Sequence, residues 1–189
     1  MRRLLTILSA LIAFAAAPAV AATFDPGPPV GAHMPTSFAA VDKTGAPATF
    51  ASLKGQKGLV LMFFRSAKWC PYCQKQLIDM KAAQAPLEQR GYRLAAISYD
   101  DPSVLTLFSA KQGVGYTLLS DKNSVMIDTF KLRDPQYKGN AMADGVPYPA
   151  IFIVDDKGVI RAKLAEESYK VRPPVEAVIS AVDGLSKAR

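Results

Sequence analysis

The chain has 189 residues, a formal net charge of +7, hydrophobic side chains at 50% of its positions and two cysteines. That length holds one domain with a sizeable core and is too short for two ordinary ones. The lysines and arginines are scattered rather than gathered into one stripe, so a mildly basic solvated surface is expected and a nucleic-acid site is not.

At the start, Met1-Arg2-Arg3, an apolar run from Leu4 to Ala17, and Ala19-Val20-Ala21 before Ala22 have the three parts of a secretory signal peptide. The run falls short of the roughly 20 residues a membrane-spanning helix needs. The expectation is a leader over 1–22, lost on export to the periplasm or beyond the cell, with no stable membrane insertion afterwards. A Pro- and Gly-rich extended lead-in covers 23–35, and one domain covers 36–189.

Within the domain, a short strand is expected near Ser37–Val41, a turn at Asp42-Lys43-Thr44-Gly45 and a second short strand near Ala48–Phe50. The run Gly58–Phe64 is continuously apolar, as in a strand buried on both faces of a sheet. A helical pattern follows from Cys70 to about Arg90, with Pro86 expected to bend or interrupt it and Gly91 to end it. A second buried strand, Arg93–Tyr99, completes a βαβ unit and implies parallel pairing with a right-handed crossover. Next come a helix over Ser103–Gln112, a strand at Tyr116–Leu119 and a helix near Ser124–Phe130. Lys131–Tyr148 reads as a long loop, a place where function often sits. Strands at Ala150–Val154 and Val159–Leu164 flank a turn, and a last helix starts at Pro173-Pro174. The pattern is α/β: a mixed central sheet between helix layers, with a short N-terminal β-hairpin.

Both cysteines lie in Trp69-Cys70-Pro71-Tyr72-Cys73. As a staple this pair is badly placed, because closing so short a loop contributes only about 2 kcal/mol. As a redox pair it is well placed. Cys70 follows a buried strand and opens a helix, where unpaired N–H groups and the helix dipole favour a thiolate. Cys73 sits one turn further on, close enough to form a disulfide. Cys70 is therefore the expected attacker and Cys73 the resolver, and Pro71 suits the first helical turn. Arg65 and Lys68 flank the pair; they are placed to lower the thiolate pKa electrostatically and equally fit solvated surface charges. C-x-x-C is also half of many zinc sites, but no further cysteine follows, and the one histidine, His33, lies in the lead-in. Soft copper binding by Cys70, Cys73 and a methionine is chemically possible.

The segments Val30-Gly31, Leu53-Lys54-Gly55, Val60–Phe64, Trp69–Cys73, Ile97-Ser98-Tyr99-Asp100, Leu118-Leu119-Ser120-Asp121 and Pro149–Asp155 together resemble the redoxin group. That group covers the alkyl hydroperoxide reductase/thiol-specific antioxidant superfamily and its peroxiredoxin-like and thioredoxin-like relatives. The resemblance implies a thioredoxin-like fold. It implies a cis proline facing the disulfide at Pro149, with Tyr148 before it, whose backbone would pair with substrate. It also implies an apolar surface at Trp69, with Pro71 and Tyr72 beside it. The chain departs from typical peroxiredoxins, which carry P-x-x-x-T-x-x-C: Phe63 stands at the proline position and Ala67 at the threonine. The family's arginine near the strand beginning Pro149-Ala150 is also missing.

These observations lead to an exported thiol–disulfide oxidoreductase exchanging with protein or small-molecule disulfides and thiols, with an upstream electron donor or acceptor and no cofactor. The second reading is a peroxiredoxin-like thiol peroxidase, in which Cys70 becomes a sulfenic acid and Cys73 condenses with it. A third, of another class, is a metallochaperone or assembly factor using the same face.

Overall fold

The apolar run expected to be doubly buried is strand β2, Gly58–Phe63, and all six of its residues are buried. Successive side chains of a strand point to opposite faces. Leu59, Leu61 and Phe63 accordingly enter one core, while Val60 and Met62 enter another, on the far side of the sheet. The computed structural model in which this is seen describes residues 24–35 and 38–187. The expected leader over 1–22, Thr23 of the lead-in and Ser37 of the first short strand lie outside the described residues.

A strand covered on both faces belongs in the middle of its sheet. The other strands are β1 (Val41–Asp42), β3 (Tyr92–Ser98), β4 (Thr117–Ser120), β5 (Ala150–Asp155) and β6 (Ile160–Ala165). Their order across the sheet is β1-β4-β3-β2-β5-β6. The expected βαβ unit pairs β2 parallel to β3, in register from Gly58 with Tyr92 to Phe63 with Ile97. β5 runs antiparallel to β2 on the other side, with Phe63 opposite Ala150. The sheet is therefore mixed, as expected.

Helices cover both faces. α2 (Pro71–Asp79), α3 (Lys81–Gln89), α4 (Pro102–Gln112) and α6 (Val175–Lys187) send Leu77, Leu87, Leu105, Phe108, Val178 and Val182 against Val60 and Met62. On the opposite face, α1 (Phe50–Leu53) and α5 (Val125–Thr129) bring Leu53, Met126 and Ile127 against Leu61 and Phe63.

Three local expectations change. Ala48–Phe50 is not a strand: Phe50 opens α1, capped by Thr49 in a reciprocal box with Ser52, a local bonding pattern that competes with a sheet ladder. Around the preceding turn, Asp42 N–H donates to Ala46 O and Ala48 N–H to Ala40 O, while β1 itself pairs with β4. The expected single helix from Cys70 to Arg90 is two, broken at Met80, whose carbonyl takes the Ala83 N–H at 3.0 Å. Pro86 lies inside α3 and does not mark the break. The segment 131–148 holds a 3₁₀ turn at Pro135–Tyr137 and is tied down by Arg133, which bridges Asp128 at 2.6 Å and Asp144 at 3.0 Å.

Gly58 starts β2 at φ 150°, and a Cβ there would collide with the Val154 carbonyl and come within 2.8 Å of the Tyr92 ring. Those contacts sit between β3 and β5 in the centre of the sheet, where nothing can move aside. Gly58→Ala is expected to lower stability by at least about 2 kcal/mol, measured as a drop in the urea midpoint.

Candidate active site

Where β2 ends, the chain turns through Arg65–Trp69 and enters α2 at Cys70. Cys70 is the N-cap residue, in extended conformation at φ −95° and ψ 102°, with Pro71 in the first turn. The Cys73 N–H points at Cys70 Sγ, 3.3 Å away. A sulfur placed there faces backbone donors that stabilise negative charge. Cys70 and Cys73 are joined as a disulfide, their Cα atoms 5.2 Å apart, and both are buried, at 1% and 0% exposure.

The turn before Cys70 is held by Asp100, at the end of β3. Its Oδ1 accepts from the Ser66 hydroxyl at 2.7 Å, and its Oδ2 from Ala67 N–H at 2.7 Å and the Ser98 hydroxyl at 3.0 Å. Burial pushes the Asp100 carboxyl above its ordinary range, and these donors pull it back. From the helix side, the Gln74 amide donates to Ala67 O at 2.9 Å.

Over Cys70 lies a cavity of about 380 Å³ lined by Arg65, Trp69, Cys70, Pro71, Tyr72, Tyr137, Asn140, Met142, Ala143 and Tyr169. The 131–148 segment supplies one wall. Trp69 Nε1–H donates to the Tyr99 hydroxyl at 2.9 Å, and Tyr99 in turn donates to Met142 O at 2.7 Å, tying the wall to the redox loop. Tyr72 and Tyr169 meet edge-on, with ring centroids 6.0 Å apart.

Two guanidinium groups share this region. Arg65 is 1% exposed, and its carbon Cζ lies 4.1 Å from the Tyr169 ring centroid, 4.3 Å from Tyr137 and 5.4 Å from Trp69. Arg172 sits behind the disulfide, its Nη2 donating to Cys73 Sγ at 3.4 Å. Burial, with Arg65 nearby, lowers the Arg172 pKa to about 10, which leaves it cationic at neutral pH.

The structure thus gathers Arg65, Trp69, Cys70, Pro71 and Tyr72 around one cavity with Cys73 directly beneath. Lys68 stays exposed, on the surface beside the site. Tyr148 and Pro149 do not line the cavity. The peptide between them is trans, since no cis peptide occurs among the described residues. The Tyr148 N–H is already taken, donating to Leu132 O at 2.7 Å, and Pro147 forms a bridge with Arg133. The Tyr148 ring packs against Phe24, centroids 5.4 Å apart. Pro149 is buried at the sheet end where Ala150 opposes Phe63. Among the described residues, no cluster of three or more His, Cys, Asp or Glu is placed to hold a metal ion.

Sequence reasoning missed Asp100, Tyr137, Tyr169 and Arg172. A carboxylate closing a buried strand beside the redox loop was a usable signal for Asp100. The two tyrosines and Arg172 carry none, because they lie in irregular segments with no periodicity.

Residues 30–163 match the model of the AhpC/TSA family. The chloroplastic peroxiredoxin Q of Populus jackii is 28% identical over 127 residues, which cover 67% of this chain and 56% of that protein. The peroxiredoxin Bcp of Escherichia coli (strain K12) is 26% identical over 123 residues, covering 65% and 77% respectively. The chain therefore spans little more than half the length of the chloroplastic relatives. Among solved structures, peroxidoxin BcpB from Mycobacterium tuberculosis superposes with a TM-score of 0.68 at 19% identity, over 87% of this chain and 99% of that one. A thiol peroxidase from Chromobacterium violaceum superposes at 0.70 and 17% identity, over 86% and 90%. At such identities the structures establish a shared fold. With its matched segment covering most of the chain, this protein belongs to the AhpC/TSA family.

Proposed function

We propose that the protein is a thiol oxidoreductase that reduces small hydroperoxides through Cys70 and is reset by thiol–disulfide exchange. The observation that carries this reading is the asymmetry of the pair: Cys70 lines a small cavity, and Cys73 is buried behind it against Arg172. A cavity of about 380 Å³ over an almost fully buried sulfur admits a small oxidant. The relatives named peroxiredoxins support the same reading.

In the oxidative half, the Cys70 thiolate attacks the outer oxygen of the hydroperoxide and the O–O bond breaks. The leaving alkoxide takes a proton from solvent and departs as the alcohol, and Cys70 becomes a sulfenic acid. The Cys73 sulfur then attacks Cys70 Sγ, forming the disulfide and releasing water. With Ala67 in place of threonine, the donors beside this chemistry include the Cys73 N–H at Cys70 Sγ and the guanidinium of Arg65 on the cavity wall. In the reductive half, a donor thiolate attacks Cys70 Sγ, the sulfur that faces the cavity. Cys73 leaves as a thiolate, and Arg172 stabilises it. A second donor thiol releases the mixed disulfide and restores the dithiol.

Exchange with protein disulfides is the second reading, favoured by the complete C-x-x-C at a helix start. It requires the walls formed by 135–143 and 168–172 to move off Cys70. Export to the periplasm or the exterior belongs to the same proposal and is supported by the leader-like residues 1–22. Cell fractionation with a C-terminal tag tests it, and a cytosolic, unprocessed chain would refute it.

Trp69, the single tryptophan, touches the cavity and reports on it. Stopped-flow fluorescence of the reduced protein is expected to change rapidly with hydrogen peroxide or an alkyl hydroperoxide and slowly with a disulfide-bonded protein. Cys70→Ser should abolish the response. Cys73→Ser should accumulate a sulfenic acid detectable by dimedone labelling. Fast reaction with the protein disulfide alone would replace this reading with the second.

Arg172 stabilises the reduced state by holding the Cys73 thiolate, so its removal should make the disulfide harder to reduce. Arg172→Met is expected to shift the reduction potential about 30–60 mV more negative, the equivalent of one charge-assisted hydrogen bond. Equilibration in dithiothreitol redox buffers measures it.

A further inference from the structure

Among the described residues, the two guanidiniums at the disulfide have no carboxylate in an ion pair with them. Burial of a cation is costly unless it is paired and hydrogen-bonded. Among the described residues, however, Arg65 enters no ion pair, and its buried Nε and Nη1 find no acceptor; Nε of Arg172 is likewise unsatisfied. The rings of Tyr137 and Tyr169 stand over the Arg65 guanidinium at 4.3 and 4.1 Å. Their π faces attract the charge but leave the in-plane N–H groups without partners. Paired with Nη2, either of those donors forms the fork that matches a planar carboxylate. Arg65 lines the same cavity as Cys70, and no Asp or Glu lines it with them. The missing anion must therefore arrive with whatever enters.

We propose that Arg65 binds a carboxylate group of the small molecule that reacts at Cys70. The site then selects carboxylate-bearing reactants: a hydroperoxide that oxidises Cys70, or a thiol that reduces the disulfide. This rests on the reading of Cys70 as the redox centre and adds which reactants it takes. Asn140, also on the cavity wall, offers an amide that can bind either oxygen of such a group. The tyrosine clamp holds Arg65 in place before anything binds, so little side-chain order has to be created on binding.

The first test uses the oxidised protein, in which no turnover occurs. Titration with butyrate should change Trp69 fluorescence saturably, and the neutral isostere butyramide should not. Arg65→Lys keeps the charge but loses the fork, and should weaken butyrate binding at least about tenfold. Two kinetic arms then locate the reactant. Reduced protein is mixed with a fatty-acid hydroperoxide or its methyl ester, and oxidised protein with 3-mercaptopropionate or 2-mercaptoethanol at equal thiolate concentration. A preference of at least about tenfold for the acid in one arm, reduced in Arg65→Lys, identifies oxidant or reductant as the carboxylate carrier. Equal binding of butyrate and butyramide overturns the inference, as does butyrate binding without preference in either arm. Hydrogen peroxide has no carboxylate, so its rate with the wild-type protein tests the redox reading independently.

Discussion

Everything chemical in this protein depends on where the turn between β2 and α2 is held, and that is decided by one buried carboxylate. Asp100 gathers the Ser66 hydroxyl, the Ala67 N–H and the Ser98 hydroxyl. It thereby fastens the residues leading to Cys70 onto the end of the neighbouring parallel strand. With β2 locked between β3 and β5, the position of Cys70 follows with little freedom. The cap geometry then sets the Cys73 N–H toward its sulfur. Loss of the Ser66 hydroxyl would leave the buried Oδ1 unsatisfied, which costs more than a hydrogen bond contributes.

The second organising feature is charge without a counter-charge. Elsewhere among the described residues, arginines pair with aspartates, as Arg90 does with Asp183 and Arg161 with Asp155. Beside the disulfide, aromatic faces and a sulfur take the place of carboxylates. A carboxylate fixed there would compete with a thiolate for the same positive field. Leaving it out keeps the field available to Cys73 and to incoming anions. The missing arginine near Pro149-Ala150 belongs in the same picture, because the positive charge at the disulfide comes from Arg65 and Arg172.

The segment 131–148 connects these two features. Arg133 ties it to Asp128 and Asp144, and the Trp69–Tyr99–Met142 chain of hydrogen bonds fastens it to the redox loop. Tyr137 is thereby delivered to Arg65, and a segment that would otherwise be a surface excursion becomes a wall of the cavity. The Tyr148 N–H is bonded within this segment, to Leu132 O, and so is not free to pair with a substrate.

The residues legible without coordinates were those whose signal is local. Six apolar residues in a row read as a strand between two cores, a cysteine after such a strand and before a proline read as a helix cap, and Cys73 one turn on could reach it. These features depend on near neighbours and on periodicities of two and 3.6 residues, so the central strands, the helix-start cysteine pair and the mixed α/β class followed from the amino-acid order. Short elements were less legible, as Ala48–Phe50 shows, because three residues are too few to separate a strand from a capped turn of helix. Of the charge environment only Arg65, five residues before Cys70, was legible. Arg172 reaches Cys73 across 99 positions, and Tyr137 and Tyr169 come from two irregular segments on either side of β5 and β6. Only tertiary packing brings them together, because side chains in irregular segments have no period that fixes the direction they face.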